Sequence, residues 1–393
     1  MQIKLNENFN KLEPNYLFTE IATRINKFKE KNASKPIISL GIGDVSLPIS
    51  KFVATEMARA TKNLSTKSGF VGYGNTTGLE SLRKAISERY KKKNICIDAD
   101  EIFVNDGAKS DLGNLCDVLG NNEIIIFDPI YPVYFDSNVI SGRKIKLLNA
   151  NFDNGFLPSP NNLPQKPFVI YLCSPNNPTG AVFSKKQLSE WVDFAISSGS
   201  LIIFDAAYES YIQDASLPHS IFEIDGARQC AIEVCSFSKS AGFTGIRCGF
   251  CAIPRELDIY PLWKRRQNTK FNGASYISQI GALASLSEQG LFENQQNISY
   301  YMQNAKMLAS FLKSKNIFFV GGENAPYLWF KIPFKKSSWE FFDYLLESTG
   351  VVGTPGVGFG KNGEGFFRFS AFASHEDTQN AINRLDKVLQ NTP

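Results

Sequence analysis

Residues 236–247 read SFSKSAGFTGIR: two serines, a lysine, then an arginine eight residues after the lysine. The hydroxyls of Ser236 and Ser238 and the guanidinium fork of Arg247 could hold a phosphate. Lys239 would then stand beside that phosphate, able to form a Schiff base with a carbonyl. Taken alone, S-x-S-K fits a solvated surface lysine better. Three other segments change the balance. In Ile202–Tyr208 (IIFDAAY), an aspartate directly follows a buried run, and a tyrosine follows it three residues later. A carboxylate there costs on the order of several kcal/mol unless a cation accompanies it. A protonated ring nitrogen is such a cation, and Tyr208 could reach an oxygen on the same ring; the plainer account of Asp205 is a cap for the next helix. Pro175–Gly180 (PNNPTG) is a turn whose asparagine amides could donate to a ring oxygen, or simply a turn. Asp106–Ser110 (DGAKS) follows a strand and opens a helix, an arrangement that offers backbone N–H groups to phosphate.

These residues need a scaffold, and the runs around them supply one. EIFVNDG, EIIIFDP, FVIYLCSP, SLIIFDAAY, CAIEVCSFS and CGFCAIP are short, apolar and rich in β-branched or aromatic residues. That is the pattern of strands covered on both faces. Between them lie helical patterns such as Ser184–Ser198, opened by a serine cap and stopped by Gly199, with Leu188, Trp191, Val192 and Ala195 on one face. The alternation predicts an α/β fold with a mostly parallel central sheet, and ligands bind such sheets at the strand ends. The last hundred residues change character. A helical stretch over 275–314, broken around Gly290, is followed by aromatic strands (NIFFVG, PYLWFKIP, GFFRFSAF) and a final helix over 376–389. We expect a large domain over 46–284 and a smaller α+β domain over 285–393 together with 1–45. The proline-rich run 157–167 reads as a surface loop of the large domain.

Composition narrows the classes. A chain of 393 residues with 43% hydrophobic and 20% charged residues describes a soluble globular protein. The 42 basic and 38 acidic residues leave a net charge of +4, too even to suggest a nucleic-acid partner. Two histidines, His219 and His375, are too few for a His-rich metal site and leave a Ser-His-Asp hydrolase few candidate bases. The seven cysteines are odd in number, and Cys248-x-x-Cys251 lies in a strand-like run without a second pair. Small buried hydrophobes in a reducing cytoplasm account for them. The N-terminal residues show no signal or transit pattern, and no apolar run approaches ~18 residues, so neither export nor a membrane partner is expected.

The ordered set DGAKSD, DPIYPVY, SPNNPTG, FDAAY, SFSKSAGFTGIRCG and FFRFSAF resembles the fold-type I, pyridoxal-phosphate-dependent aminotransferases over nearly the whole chain. The resemblance implies pyridoxal 5'-phosphate as cofactor, bound covalently by Lys239, which also moves the proton between substrate and cofactor. It implies Asp205 against the ring nitrogen, Asn177 and Tyr208 on the ring hydroxyl, and Tyr131 on the ring face. Ala108, Lys109, Ser236, Ser238 and Arg247 would surround the phosphate. Tyr73 would reach the phosphate of a neighbouring subunit in a homodimer, and Arg368 would clamp the substrate carboxylate. Two other readings, a different reaction on the same cofactor and a cofactor-sensing regulatory protein, fit less well. Arg368 speaks against the first, and no basic helix-turn-helix region precedes Tyr16.

Within that family NYLFTEI, SLGIGDVSLP, GYGNTTG and TPGVGFGKNGEGFFRFSAFAS are similar to the branch that exchanges an amino group between glutamate and tetrahydrodipicolinate, forming LL-2,6-diaminopimelate. By that likeness Tyr16, Gly43, Lys109, Tyr131, Asn177, Asn272 and Arg368 line the substrate pocket, Asn272 also bordering the cofactor, with Tyr16 and Asn272 supplied by the partner subunit. One departure bears on substrate choice. Where that branch reads G-Y-G-P-E-Q-G, this chain has Gly72-Tyr73-Gly74-Asn75-Thr76-Thr77-Gly78, so Thr76 replaces a glutamate that would face the distal ammonium. Loss of that contact would cost roughly 1.5–3 kcal/mol of discrimination and imply broader donor tolerance. Val357 and Ala373 stand where Ser and Gly are expected, with no consequence assigned.

Overall fold

The computed structural model describes residues 3–13, 16–41 and 43–389. Asn15 and Ile42, part of the motifs above, lie outside them. The strands are β1 (Ile38–Ser39), β2 (Ile102–Asn105), β3 (Ile124–Asp128), β4 (Ile145–Asn149), β5 (Val169–Cys173), β6 (Leu201–Asp205), β7 (Ala231–Ser236), β8 (Gly249–Ala252), β9 (Phe319–Gly321), β10 (Tyr327–Lys331), β11 (Val351–Val352), β12 (Thr354–Pro355) and β13 (Phe366–Ser370). A seven-stranded sheet runs in the order β2-β8-β7-β6-β5-β3-β4. Strands β4, β3, β5, β6 and β7 are mutually parallel, and β8 runs antiparallel to both of its neighbours. In β2, β3, β5 and β8 every residue is buried, as the uninterrupted apolar runs predict for strands covered on both faces. Strand β4 gave no such signal. It is one of the two sheet edges, half-exposed and interrupted by Lys146, a charge that discourages further pairing.

The helices are α1 (Leu17–Lys31), α2 (Lys51–Asn63), α3 (Glu80–Lys91), α4 (Ala108–Asn114), α5 (Pro132–Ile140), α6 (Lys185–Ser198), α7 (Phe237–Ser240), α8 (Ile259–Lys270), α9 (Tyr276–Ser285), α10 (Glu288–Ser314), α11 (Ser338–Thr349) and α12 (His375–Asp386). Helix α6 follows its sequence. Ser184 and Gln187 form a capping box, Leu188, Trp191, Val192 and Ala195 are buried, and Gly199 stops the helix at φ 68°. The break expected around Gly290 falls instead at Leu286–Ser287. Ser287 caps α10 by accepting from the Gly290 N–H, so this glycine sits inside the first turn. It is needed there because a Cβ would lie 2.2 Å from the Ala284 carbonyl oxygen.

A four-stranded antiparallel sheet, β12-β13-β10-β9, forms from the C-terminal third. Strand β1 pairs in parallel with β11, and the Leu40 carbonyl accepts from the Ser370 N–H, so residues 38–40 pack against this sheet. Cys173, Cys230, Cys235, Cys248 and Cys251 are buried as expected, but Cys96 is exposed and Cys116 half-buried. Among the described residues no helix is long and apolar enough to cross a membrane.

Candidate active site

The C-terminal ends of β5, β6 and β7 open onto a cavity of about 400 Å³. Twelve residues singled out in the sequence line it: Gly43, Ala108, Lys109, Tyr131, Asn177, Asp205, Tyr208, Ser236, Ser238, Lys239, Arg247 and Arg368. They reach it from seven separate stretches of chain. A parallel sheet brings its carboxyl ends together, which is why residues so distant in sequence converge.

Asp205, the last residue of β6, is 5% exposed and forms the polar floor. Its Oδ1 accepts from the Ala207 N–H at 2.9 Å and its Oδ2 from the Tyr134 hydroxyl at 2.5 Å. The first of these is a local turn and not the expected helix cap, since the next helical turn, Glu209–Tyr211, is entered from Tyr208 with no side-chain cap. Burial pushes its carboxyl above the ordinary value, against the opposing pull of those two donors. Among the described residues no cationic side chain offsets its charge.

Lys239 sits on the single turn α7, and its Nζ donates to the Gly43 carbonyl. Burial brings its pKa down to about 8; Asp44 opposes that shift, and Arg368 and Arg247 add to it. Gly43 must lack a side chain, since a Cβ would lie 2.6 Å from Tyr327 Oη. Tyr327 Oη and Tyr208 Oη share a hydrogen bond of 2.6 Å, and burial raises both phenols.

One end of the cavity is built for an oxyanion. Ser236 caps α7 by accepting from the Ser238 N–H, and Ser238 Oγ accepts from Arg247 Nη1 at 3.1 Å. Across from them the chain turns at Gly107 (φ 125°) into α4, where a Cβ would meet Arg247 Nη2 at 2.0 Å. Glycine is required both for the backbone angle and for the close approach of the guanidinium.

The opposite wall carries Arg368, with no measurable exposure. It donates to Asn177 Oδ1 at 2.6 Å, to the Gly41 carbonyl at 2.6 Å and to Thr354 Oγ1 at 3.3 Å. Its guanidinium lies over the Tyr327 and Phe359 rings. Its Nε has no partner, and burial pulls its pKa below the ordinary value. All its acceptors are neutral, so this buried cation has no anion among the described residues.

Three expected residues lie elsewhere. Tyr73 is 91% exposed, on a loop with Phe70, which is 71% exposed. Asn272 is exposed, and its neighbour Gly273 lies beside Asn75 and Thr76, so both segments belong to one surface. Thr76 Oγ1 donates to Asn268 Oδ1 at 2.5 Å. Tyr16 is not a lining residue and stands at the edge of the cavity. It lies beside this chain's own Lys109, whose Nζ is 3.5 Å from the Tyr16 hydroxyl. The reason is that α1, which Tyr16 precedes, is tied to its own chain by the Arg24–Asp343 ion pair and by Leu17 against Gly358.

The sequence reading missed Tyr134, Tyr327 and Asp44, which also line the cavity. Tyr134 carried a signal: it stands three residues after Tyr131 on α5, hence on the same helical face. Tyr327 opens a strand, and nothing in its sequence separates it from the surrounding core aromatics.

A pyridoxal phosphate group can be tested against this geometry. Its charges are those the cavity does not balance: a ring cation for Asp205, a phosphate for the Ser238–Arg247 end and a substrate carboxylate for Arg368. The residues present fit the group.

Comparison with known proteins agrees. The model of the family "Aminotransferase class I and II" matches residues 35–385. An LL-diaminopimelate aminotransferase of Prochlorococcus marinus subsp. pastoris is 47% identical over 98% of this chain and 100% of its own length. One from Agathobacter rectalis is 47% identical over 97% of this chain and 99% of its own. The solved L,L-diaminopimelate aminotransferase of Chlamydomonas reinhardtii superposes with a TM-score of 0.93 at 40% identity, covering 99% of both chains. A cavity ringed by a buried lysine, an uncompensated carboxylate and an uncompensated guanidinium is thus found in a chain that belongs to the class I and II aminotransferases.

Proposed function

We propose that this protein transfers an amino group between glutamate and tetrahydrodipicolinate, with LL-2,6-diaminopimelate as the amino acid formed, using pyridoxal 5'-phosphate. The reading rests on one observation above the rest. Lys239, with its pKa brought down to about 8, stands between a buried carboxylate and a buried guanidinium that both lack counter-charges. The names of the relatives support the substrate.

When bound, the cofactor supplies an electron-poor ring that takes up the electron pair left as the substrate Cα–H bond breaks. The protein's own residues do the rest. Lys239 would hold the cofactor covalently and, when released as a neutral amine, accept the Cα proton and return it at the cofactor carbon two bonds away, across the substrate nitrogen. Its lowered pKa leaves a useful neutral fraction near neutral pH. Asp205 keeps the ring nitrogen protonated, and the Tyr134 hydroxyl fixes that carboxylate. Asn177 and Tyr208 would bond the ring hydroxyl, and Tyr131 would cover the ring. Ser236, Ser238, Arg247, Lys109 and the backbone at Ala108 hold the phosphate. Arg368 takes the α-carboxylate through its unused Nε and remaining N–H, so binding satisfies a buried side chain that folding left short.

The working unit in this reading is a cytoplasmic homodimer with a large domain over 46–284 and a small one over 1–45 and 285–393. Its support is the exposed surface formed by Phe70, Tyr73, Thr76 and Asn272, which would face the partner's cavity. Thr76 in place of a glutamate leaves the distal end of the substrate more loosely held.

An absorbance titration tests the function. The purified protein should carry a cofactor band that LL-diaminopimelate converts to the amino form and 2-oxoglutarate restores. A band that answers glutamate but ignores diaminopimelate would refute the substrate; no response to either would refute transamination.

A further inference from the structure

The turn bearing Lys239 has two sides. Ser236, Ser238 and Lys239 line the active cavity, whereas Phe237 and Ser240 line a second cavity of about 270 Å³ behind it. That volume lies just below the usual range for small-molecule sites, enough for a compact metabolite. The same turn is also held by Tyr211, whose hydroxyl donates to the Lys239 carbonyl at 3.0 Å.

The wall of the second cavity has an excess of positive charge. Arg89 donates to Glu209 Oε1, and His219 Nδ1 lies 3.3 Å from Glu209 Oε2. Lys93 Nζ stands 4.0 Å from the same oxygen, beyond hydrogen-bonding reach. One carboxylate therefore faces two basic side chains here, and the Lys93 ammonium is short of an acceptor. Burial, with Arg89 beside it, holds the Lys93 pKa below its ordinary value against the opposing pull of Glu209, Glu223 and Glu233. Across the cavity Asn294 is 6% exposed; its Nδ2 reaches the Ser285 carbonyl, but its Oδ1 has no partner. A buried amide oxygen left unpaired asks for a donor. The walls between are apolar, with Phe237, Leu286 and Ile298.

We propose that this second cavity binds a small carboxylate carrying a hydrogen-bond donor, a hydroxy acid or an amino acid, and that its occupant braces the turn bearing Lys239. The carboxylate sits on Lys93 and Arg89, the donor meets Asn294 Oδ1, and the carbon skeleton packs on Phe237. The site does not depend on the transamination reading, since no residue of the active cavity is needed to form it.

Three four-carbon diacids differing in one group provide the test: succinate (no donor), L-malate (hydroxyl) and D-aspartate (ammonium). Calorimetry on the holoenzyme should show one more equivalent bound for malate or D-aspartate than for succinate, and the tighter of the two identifies the donor. Lys93→Met and Asn294→Leu should each weaken that extra equivalent at least tenfold and leave the one shared with succinate unchanged. Amide exchange of the 236–241 segment should slow at saturation in the wild type and not in Lys93→Met. Equal stoichiometry for all three diacids, binding indifferent to both substitutions, or unchanged exchange at saturation would overturn the proposal.

Discussion

Asp205 and Glu209 stand four residues apart, both buried, and the structure treats them in opposite ways. Glu209 is surrounded by Arg89, Lys93 and His219, and their charges hold its carboxyl well below the usual carboxylate range despite burial. Asp205 has a phenol and one backbone N–H, and burial pushes its carboxyl up. A buried charge with its partners in place contributes to the fold. One without them costs stability unless a ligand supplies the missing charge. Arg368 repeats the second case with the sign reversed. Together with the convergence of the strand ends, the comparison marks the active cavity.

The most damaging change is to the lysine between the unbalanced charges: Lys239→Ala should lower turnover by on the order of 10⁴-fold or more and leave the fold intact by circular dichroism. Asp205→Asn should cost about 10²–10³-fold in kcat, yet the cofactor-free protein should melt higher than the wild type at pH 7. The sign follows from the raised carboxyl. Below its unfolded value of 3.8 the folded group is protonated and carries no penalty, and the penalty grows as pH rises from there. The difference in melting should therefore vanish in acid. A wild type as stable as Asp205→Asn at pH 7 would break the comparison.

Arg368→Lys replaces a planar fork by a point charge and should lower kcat/KM by roughly 10–100-fold, mainly through KM. Glu209→Gln sharpens the contrast from the other side. It should lower the stability of the folded protein by about 2 kcal/mol, less than a fully buried pair because Arg89 and Lys93 are partly exposed. Its folded value lies below 4.5, so the wild type should lose this contribution as pH falls below that value, and the variant should not. The smallest effect is expected from Thr76→Glu: about tenfold better discrimination of LL-diaminopimelate from lysine and ornithine. Equal discrimination in both proteins would remove Thr76 from the substrate-binding surface.

Most of the floor and the oxyanion end of the cavity was legible because strand ends carry their chemistry in contiguous motifs. The six central strands stood out because burial on both faces leaves them mostly apolar, with polar residues chiefly at their ends. Strand β4 did not, since an edge strand half in water has no such run, and the two-residue β11 and β12 are too short to show a period. Tyr327 and Asp44 were missed because their roles depend on which neighbour the small sheet and the β1 segment bring beside them. The position of Tyr16 could not be read either, because whether an N-terminal helix folds onto its own chain depends on contacts such as Arg24–Asp343, more than three hundred residues apart.

The most direct measurement follows the proton itself. LL-diaminopimelate deuterated at Cα should lose its label to solvent water when incubated with the holoenzyme and no oxo-acid. The washout should disappear with Lys239→Ala and return in proportion to added methylamine, because a free amine can stand in for the missing base. Washout by Lys239→Ala at the wild-type rate without added amine would contradict the role of Lys239 and with it the account of the cavity.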